Sequence, residues 1–355
     1  MSRCTATDNQ SLHRDPGFDF ARAVAAVGIV VFHFYCHSDS ARKLFLYHAN
    51  GSWGTTLNYL FFALSGYLLQ MKYGQPGNLH LQTFYYKRWK ATIPAHLAVF
   101  LFAFCMNVFS LGKLFYLDIP KWQLLLSFVG MDGYATLIAP TYFITGEWFL
   151  GAILMAYIVY PLLRWIAGLR WIRYVFLGGL LGLYALLFQI DVGPLSPSIN
   201  PITCLLSFYV GMLGAEHSGI LKNNWVAAVS LILCVVLFAI PMGGETVTKM
   251  TLAGWCLVIV LYRIGCILCK NPIISRITLT LSALSYPVFL IHHRIILKVL
   301  TGFNSTSTLR SLVALALSLF STLILAAVLD HLMKSLFKSK PYMHFERFFL
   351  KDKKE

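Results

Sequence analysis

One apolar segment near the N-terminus carries the residues best suited to chemistry. It reads FDFARAVAAVGIVVFHFYCHS, and Arg22 and His33 stand eleven positions apart within it. In an α-helix this spacing puts both side chains on one face, about 16 Å apart along the axis. Asp19 lies one turn before Arg22, and His37 lies one turn after His33. Imidazole is a general base and guanidinium holds anions, so this polar stripe could serve a group-transfer reaction.

Each of these residues also has a structural interpretation. Arg22 stands near the end of the segment and can extend its head group to the membrane interface. A lone buried histidine such as His33 can be a hydrogen-bonded packing residue. Ionisable residues inside membrane helices are costly, which favours the functional interpretation of His33. His37 is predicted at the outer surface without a catalytic role.

The composition identifies the solvent in which these helices fold. Hydrophobic residues make up 58% of the 355 residues and charged residues 12%, against about 25% charged residues in soluble domains. A bilayer accommodates this much apolar surface. The net charge is +15, and the positive-inside rule explains it without nucleic acid as a partner.

Apolar stretches of the length that a bilayer requires predict an all-α membrane protein with ten transmembrane helices. They lie near residues 20–38, 55–71, 93–110, 147–166, 173–190, 202–216, 224–241, 250–268, 281–300 and 311–333. The shorter piece Trp122–Met131 is predicted as one extra re-entrant or interfacial helix at most. We expect a single domain over 1–355, with a cytoplasmic segment at 1–17 and a basic cytoplasmic tail at 335–355.

Lysine and arginine orient these helices. They concentrate in the loops after the even-numbered segments and in the C-terminal tail. Since cytoplasmic loops carry the excess of positive charge, both termini are predicted in the cytoplasm, and an even number of crossings is required. The chain is therefore predicted as a multi-pass protein of the plasma or inner membrane. An oligomer is compatible with the sequence.

Four further segments follow the first in a fixed order. They are LFFALSGYLL, FYYKRWKATIP, EWFLGAILMAYIVYPLL and LSYPVFLIHHRI. Together with Arg22, ten intervening residues and His33, this order resembles the acyltransferase-3 family of polytopic membrane O-acyltransferases. The resemblance covers about residues 18–300. It implies transfer of an acyl group, expected to be acetyl, from acetyl-CoA or another acyl-CoA to a sugar hydroxyl of a cell-surface or lipid-linked glycan.

The resemblance also implies roles for individual residues. His33 and Arg22 would be catalytic, and Lys87, Arg88 and Arg22 would hold coenzyme A, whose phosphates suit such cations. The acceptor or its path would be contacted by six residues: Asp19, Ser65, Glu147, Trp148, Tyr286 and His292. No metal cofactor is expected, because the sequence has no H-E-x-x-H or comparable ligand spacing.

Some positions weaken parts of this assignment. Ile153 and Leu154 stand where many family members carry glutamate, so a mechanism that uses that carboxylate is in doubt. Neighbouring residues on a helix point about 100° apart, so His292 and His293 are not expected to face one pocket equally. Ser65 and Gly66 could equally serve close helix packing.

Three mechanistic and functional alternatives stay open on the sequence. Acyl transfer could be direct or pass through an acyl-histidine. A flippase for a lipid-linked sugar would share ten helices and intramembrane charge, although no internal repeat is visible. A glycan polymerase would need a larger outer loop than the segment 111–146.

Overall fold

The computed structural model describes residues 15–38, 53–115, 117–142, 145, 148–239, 246–303 and 307–350. Six of its helices are long and apolar enough to cross a membrane. They are α1 (Pro16–His37), α3 (Leu81–Leu111), α6 (Trp148–Ala167), α11 (Thr246–Leu268), α12 (Pro272–Gly302) and α13 (Thr308–Lys338).

Eight further helices in the described residues are shorter or more polar. They are α2 (Trp53–Tyr73), α4 (Leu124–Phe128), α5 (Asp132–Ala135), α7 (Ile172–Leu186), α8 (Pro201–Glu216), α9 (Gly219–Lys222), α10 (Asn224–Ala239) and α14 (Lys340–Leu350). A helix lies in each of the ten predicted crossing segments, although α7 ends at Leu186 within the segment 173–190. The all-helical membrane class is therefore confirmed. The count of ten crossings stays a prediction. The piece Trp122–Met131 contains only part of a 3₁₀ turn and the five-residue α4, both too short to cross.

The helices that carry the candidate site begin with the same local signal. Asp15 precedes Pro16 at the start of α1, and its carboxylate accepts a hydrogen bond from the Gly17 backbone N–H at 2.9 Å. Asn271 precedes Pro272 at the start of α12 and caps the helix in the same way. A capping side chain accepts a hydrogen bond from a free backbone N–H of the first turn. Proline in that turn removes no helical hydrogen bond, because its nitrogen would have no partner there. The local sequence therefore fixes where both helices start.

Contacts between helices define their relative directions. α1 and α12 run parallel, because Asp19 contacts Ser282 and, farther along both helices, His33 contacts His292. α1 and α2 run antiparallel, with contacts in reversed order: Phe18 with Tyr67 and Phe32 with Trp53. α1, α2 and α12 are the first, second and ninth predicted spans. If successive spans alternate in direction, the first and ninth must be parallel and the second antiparallel to both, as observed. Which side faces the cytoplasm stays a prediction.

The tightest packing in the core joins α2 to α8. A Cβ added to Gly66 would lie 1.9 Å from the carbonyl oxygen of Phe208, and one added to Gly211 would lie 1.9 Å from that of Ala63. Small residues let membrane helices approach backbone to backbone. The packing interpretation of the Ser65–Gly66 pair is therefore the one that the structure supports for Gly66.

The segment predicted as a basic tail is helical through Leu350. α14 packs on the first turns of α3, where the Tyr86 and Tyr342 hydroxyls lie 3.0 Å apart. Lys90 Nζ donates to a carboxylate oxygen of Glu346 at 2.8 Å. The tail therefore covers the end of α3 that carries the basic loop residues.

A buried carboxylate between α3 and α6 makes stability depend on pH. Asp132 is 1% exposed. Burial raises the pKa of its carboxyl group to about 6. Hydrogen bonds to the carboxylate, such as the one from the Gly133 N–H, act in the opposite direction. The unfolded chain ionises near pH 4, so the native state holds this proton more tightly, and stability should fall as pH rises from about 4 to about 6.

We expect Asp132→Asn to unfold at a higher temperature than the wild type at pH 7, with a gain of up to about 3 kcal/mol, because amide cannot ionise. Thermal unfolding of the detergent-solubilised protein between pH 4 and 8 measures this. The two proteins should converge near pH 4, and a constant difference across this range would contradict the prediction.

Candidate active site

Three imidazole rings meet between α1 and α12. The ring centre of His33 lies 4.1 Å from that of His293 and 5.0 Å from that of His292. One ring nitrogen of each residue lies within 4.8 Å of one nitrogen of the other two. His292 and His293, which were not expected to face one pocket equally, both lie beside His33, but neither lines the cavity next to His33.

The hydrogen bonding of His292 fixes its tautomer. Its Nδ1 lies 2.9 Å from the Phe289 carbonyl oxygen and 3.1 Å from that of Val288. Carbonyl oxygens only accept, so Nδ1 carries the hydrogen, and Nε2 of the neutral ring keeps its lone pair. Nε2 is buried and has no hydrogen-bond partner. His292 is thus 0% exposed with one nitrogen left to accept.

The histidine cluster continues to the surface through His37. Its Nε2 lies 3.2 Å from Nδ1 of His293, and the residue is exposed. The exposure agrees with the predicted surface position, but His37 is more than a surface residue because it contacts the buried cluster. Four imidazoles therefore form a continuous array from the core to the predicted outer end of α1.

A cavity of about 110 Å³ opens beside His33. Its aromatic walls are Phe32, Trp148, Phe149 and Phe289, and its polar groups besides His33 are Thr55, Asn58 and Ser198. Trp148 was predicted from the sequence, whereas Thr55, Asn58 and Ser198 were not. Thr55 and Asn58 are three residues apart on α2 and so share a face, which is the one signal the sequence offered.

Two tyrosine hydroxyls hold the 198–199 backbone over this cavity. Tyr59 donates to the Ser198 carbonyl at 3.1 Å, and Tyr134 donates to the Ile199 carbonyl at 3.0 Å. Both tyrosines are buried. A loop between helices is thereby fixed as one wall of the cavity.

Arg22 belongs to a second polar group, nearer the start of α1. Its Nη1 lies 3.9 Å from Oδ1 of Asp19, and Asp19 Oδ1 also accepts from the Ser282 hydroxyl at 2.6 Å. Asp19 is 4% exposed, whereas the Arg22 side chain is 37% exposed. The predicted pairing of Asp19 with Arg22 on one face is thus present. Asp19 ties α1 to α12 and does not line the cavity beside His33.

The basic residues at the start of α3 differ in their surroundings. The Arg88 guanidinium lies 5.6 Å from the centre of the Tyr157 ring, and its Nε is buried without a hydrogen-bond partner. Lys72 lies close enough for its charge to interact with that of Arg88. Lys87 is exposed. Arg88 therefore has a buried Nε–H group without a hydrogen-bond partner, and the Lys72 ammonium is a neighbouring cation.

Tyr286 lies between this basic group and the cavity. Its hydroxyl donates to the Thr92 carbonyl of α3 at 2.8 Å, and its ring stacks with Phe289, a cavity residue, at 6.4 Å between centres. It braces α12 against α3 instead of lining the cavity. Ser65, another predicted contact of the acceptor, does not line the cavity either. Glu147 lies outside the described residues.

Ile153 and Leu154 occupy the positions of the missing glutamates. Ile153 is 5% exposed in the main apolar core, and Leu154 packs against that core and contacts Gly130. Both positions are therefore filled by apolar side chains that pack in the core.

The fold and the cavity beside His33 define a helical membrane protein with a candidate site between its helices. The family model of acyltransferase-3, described as an acyltransferase domain, matches residues 15–331, so the chain belongs to the acyltransferase-3 family. It is a membrane acyltransferase. Comparisons with curated proteins and with solved structures gave no match.

Proposed function

We propose that the protein transfers an acetyl group from acetyl-CoA, or a related acyl group from its CoA thioester, to a sugar hydroxyl of a cell-surface or lipid-linked glycan in the plasma or inner membrane. The observation that carries this proposal is His33, an intramembrane imidazole that lines a cavity and contacts two further imidazoles. Family membership supports the acyl-transfer chemistry.

In the proposed reaction His33 acts as the general base. It removes the proton of the acceptor hydroxyl while that oxygen attacks the thioester carbonyl. The carbon–sulfur bond then breaks, and the coenzyme A thiolate leaves and takes up a proton. Asn58 borders the same cavity, and its amide N–H can donate to the oxyanion that develops on the carbonyl oxygen. No nucleotide hydrolysis is needed.

The proposed donor seat is at the opposite end of the helices. Arg88 has an unpaired buried N–H and stands near Lys72, an arrangement that suits the phosphates of coenzyme A. From Arg88 a series of aromatic residues leads through Tyr157, Tyr286 and Phe289 to the cavity. The pantetheine arm would follow this path, with Arg22 and Lys87 as further cations near its mouth.

The proposed acceptor site is the cavity itself. Aromatic walls with a few polar groups are typical of specific small-ligand sites. Trp148 and Phe149 offer ring faces, while Thr55, Asn58 and Ser198 offer hydrogen-bonding groups suited to sugar hydroxyls. His33 lies toward the end of α1 that is predicted to face outward, so the acceptor would approach from outside.

Labelled donor tests this proposal directly. Vesicles that contain the purified protein are incubated with acetyl-CoA labelled in the acetyl group and with lipid-linked or free glycan. Base-labile label on the glycan is the expected result. Movement of unmodified lipid-linked glycan across the vesicle without label transfer would instead identify a flippase, and altered glycan length would identify a polymerase.

We expect Arg88→Gln to raise the KM for acyl-CoA by about 10- to 100-fold, which corresponds to the loss of one or two charge-assisted hydrogen bonds. Arg88→Lys keeps the charge but loses the planar fork, so its KM should lie between those of the wild type and Arg88→Gln. Steady-state kinetics with varied acyl-CoA measure both.

Arg170→Gln is the matched control. It also removes one arginine from the predicted cytoplasmic face, and Arg170 is exposed with its guanidinium over the Trp171 ring. Its KM should stay near that of the wild type. Equal KM values for Arg88→Gln and Arg170→Gln would remove Arg88 from the donor seat.

A further inference from the structure

The nitrogens of His33, His292 and His293 are close to the arrangement of a metal-binding triad. They lie within 4.8 Å of one another, while three imidazoles on a tetrahedral zinc ion have nitrogens about 3.4 Å apart. Each nitrogen would need to move by at most about 0.8 Å to reach this spacing. Small rotations about the side-chain torsions supply such a shift without a change of rotamer.

The second observation is the hydrogen bonding of His292. Metal-binding histidines usually donate their other ring N–H to a carboxylate or a backbone carbonyl, which fixes the tautomer and directs the lone pair at the ion. Nδ1 of His292 has such partners in the Val288 and Phe289 carbonyls, and Nε2 is buried without a partner. Its lone pair is therefore free to bind an ion.

The surroundings leave room for a fourth ligand and a route of access. His33 borders the cavity of about 110 Å³, so a water molecule can occupy the fourth position. The exposed His37 contacts His293 and links the cluster to the surface. Imidazole ligands favour ions of borderline softness, such as Zn²⁺ and Co²⁺, over Mg²⁺ and Ca²⁺.

We propose that His33, His292 and His293 bind one divalent ion of this kind, with Zn²⁺ as the physiological candidate, and that the ion is an inhibitor of acyl transfer. The inhibition rests on the proposed function, because a metal on His33 occupies the lone pair that would remove the acceptor proton. Metal binding itself rests only on the geometry of the three rings. The ion is thus a reversible ligand and takes no part in the reaction.

The experiment separates binding from inhibition. The full-length protein is purified in detergent with a tag that lacks histidine, stripped with a chelator, and titrated with Co²⁺ while its visible d–d absorption is recorded. One equivalent of tetrahedral Co²⁺ per chain is expected, and Zn²⁺ should displace it. Zn²⁺ should also inhibit label transfer over the same concentration range, and Mg²⁺ should do neither.

Variants locate the site. His292→Gln and His293→Gln should each weaken Co²⁺ binding by more than the roughly 10–100-fold that loss of a supporting partner costs. His331→Gln, which changes an exposed histidine on α13, should bind as the wild type does. Size-exclusion elution and circular dichroism of each apo variant establish that it is folded, and two independent ligand variants guard against the loss of one.

Each outcome decides a separate point. Absence of stoichiometric Co²⁺ binding, or equal binding by the ligand variants and His331→Gln, would overturn the metal site. A near-ultraviolet charge-transfer band would place the ion on cysteine and overturn it as well. Binding without inhibition would overturn the inhibitory role alone. Binding by a protein that transfers no label would leave the site intact and contradict the proposed function.

Discussion

Replacement of His33 by glutamine is expected to lower kcat for acyl transfer by about 10²- to 10⁴-fold, the usual contribution of a general base. Glutamine is close to histidine in size and keeps hydrogen-bonding capacity, but it cannot accept the hydroxyl proton. The KM for acyl-CoA should change little, since the proposed phosphate seat is at Arg88. Label transfer to glycan, with both substrates varied, separates these two constants.

His96→Gln provides the matched control for this experiment. His96 is fully buried in a membrane helix, whereas His33 is partly buried. The Nε2 of His96 lies 2.8 Å from the Ser127 carbonyl oxygen, and His96 does not line the cavity beside His33. Activity should stay within a few-fold of the wild type. Near-wild-type activity of His33→Gln, checked by mass spectrometry of glycan acylation, would end the assignment of His33 as the base.

The same variants address the acyl-histidine alternative. If His33 is a nucleophile, protein incubated with labelled acyl-CoA in the absence of acceptor should keep about one label per chain after mild quenching, and His33→Gln should keep none. If His33 is a base, neither protein should retain label. Both mechanisms require the acceptor hydroxyl beside the imidazole, so retention of label on the protein is the measurement that separates them.

The amino-acid pattern predicts the individual helices well because a membrane crossing depends on local composition. Every predicted crossing segment falls on a helix, and the Asp15–Pro16 and Asn271–Pro272 pairs mark two of the starts. The 31-residue length of α3 was not predicted, since the twelve residues before Ile93 are mostly polar and aromatic. They become helical where α14 packs against them, a contact between segments more than 250 residues apart.

The site was predicted only in part because a helical pattern does not reveal which helices are neighbours. The face shared by Asp19, Arg22 and His33 follows from spacing on α1 alone. The parallel packing of α1 on α12 is a tertiary fact, and it brings His293 against His33. The 100° rule for neighbouring residues describes directions from one helix axis and does not say which side chain of another helix lies near them.

Gly66 of α2 and Gly211 of α8 have a packing role. Gly66 lies in the segment that resembles the family's second helix, yet its surroundings are the backbone of α8. α2 also carries Thr55 and Asn58. The close approach of the two helices therefore sets the position of the polar cavity wall, which connects this packing to the site.

Gly211→Ala is expected to destabilise the protein by about 3 kcal/mol or more, at the upper end of the cost of overpacking, because the new Cβ would lie 1.9 Å from a backbone carbonyl oxygen. A side chain could rotate away, but here the helices must separate. Gly211→Val should cost more. Gly66→Ala acts on the same interface, so its effect combined with Gly211→Ala should be smaller than the sum of the two.

Thermal unfolding in detergent measures these costs, and Gly179→Ala is the control. Gly179 also lies within an apolar helix, α7, but a Cβ there would meet nothing within 4 Å. Alanine should stabilise α7 by up to about 1 kcal/mol through its helix propensity. Opposite signs for Gly211→Ala and Gly179→Ala would show that backbone contact, and not glycine content, sets the stability of the bundle. A neutral Gly211→Ala would mean that α2 and α8 are not in backbone contact, and the wall that presents Asn58 to the cavity would lose its support.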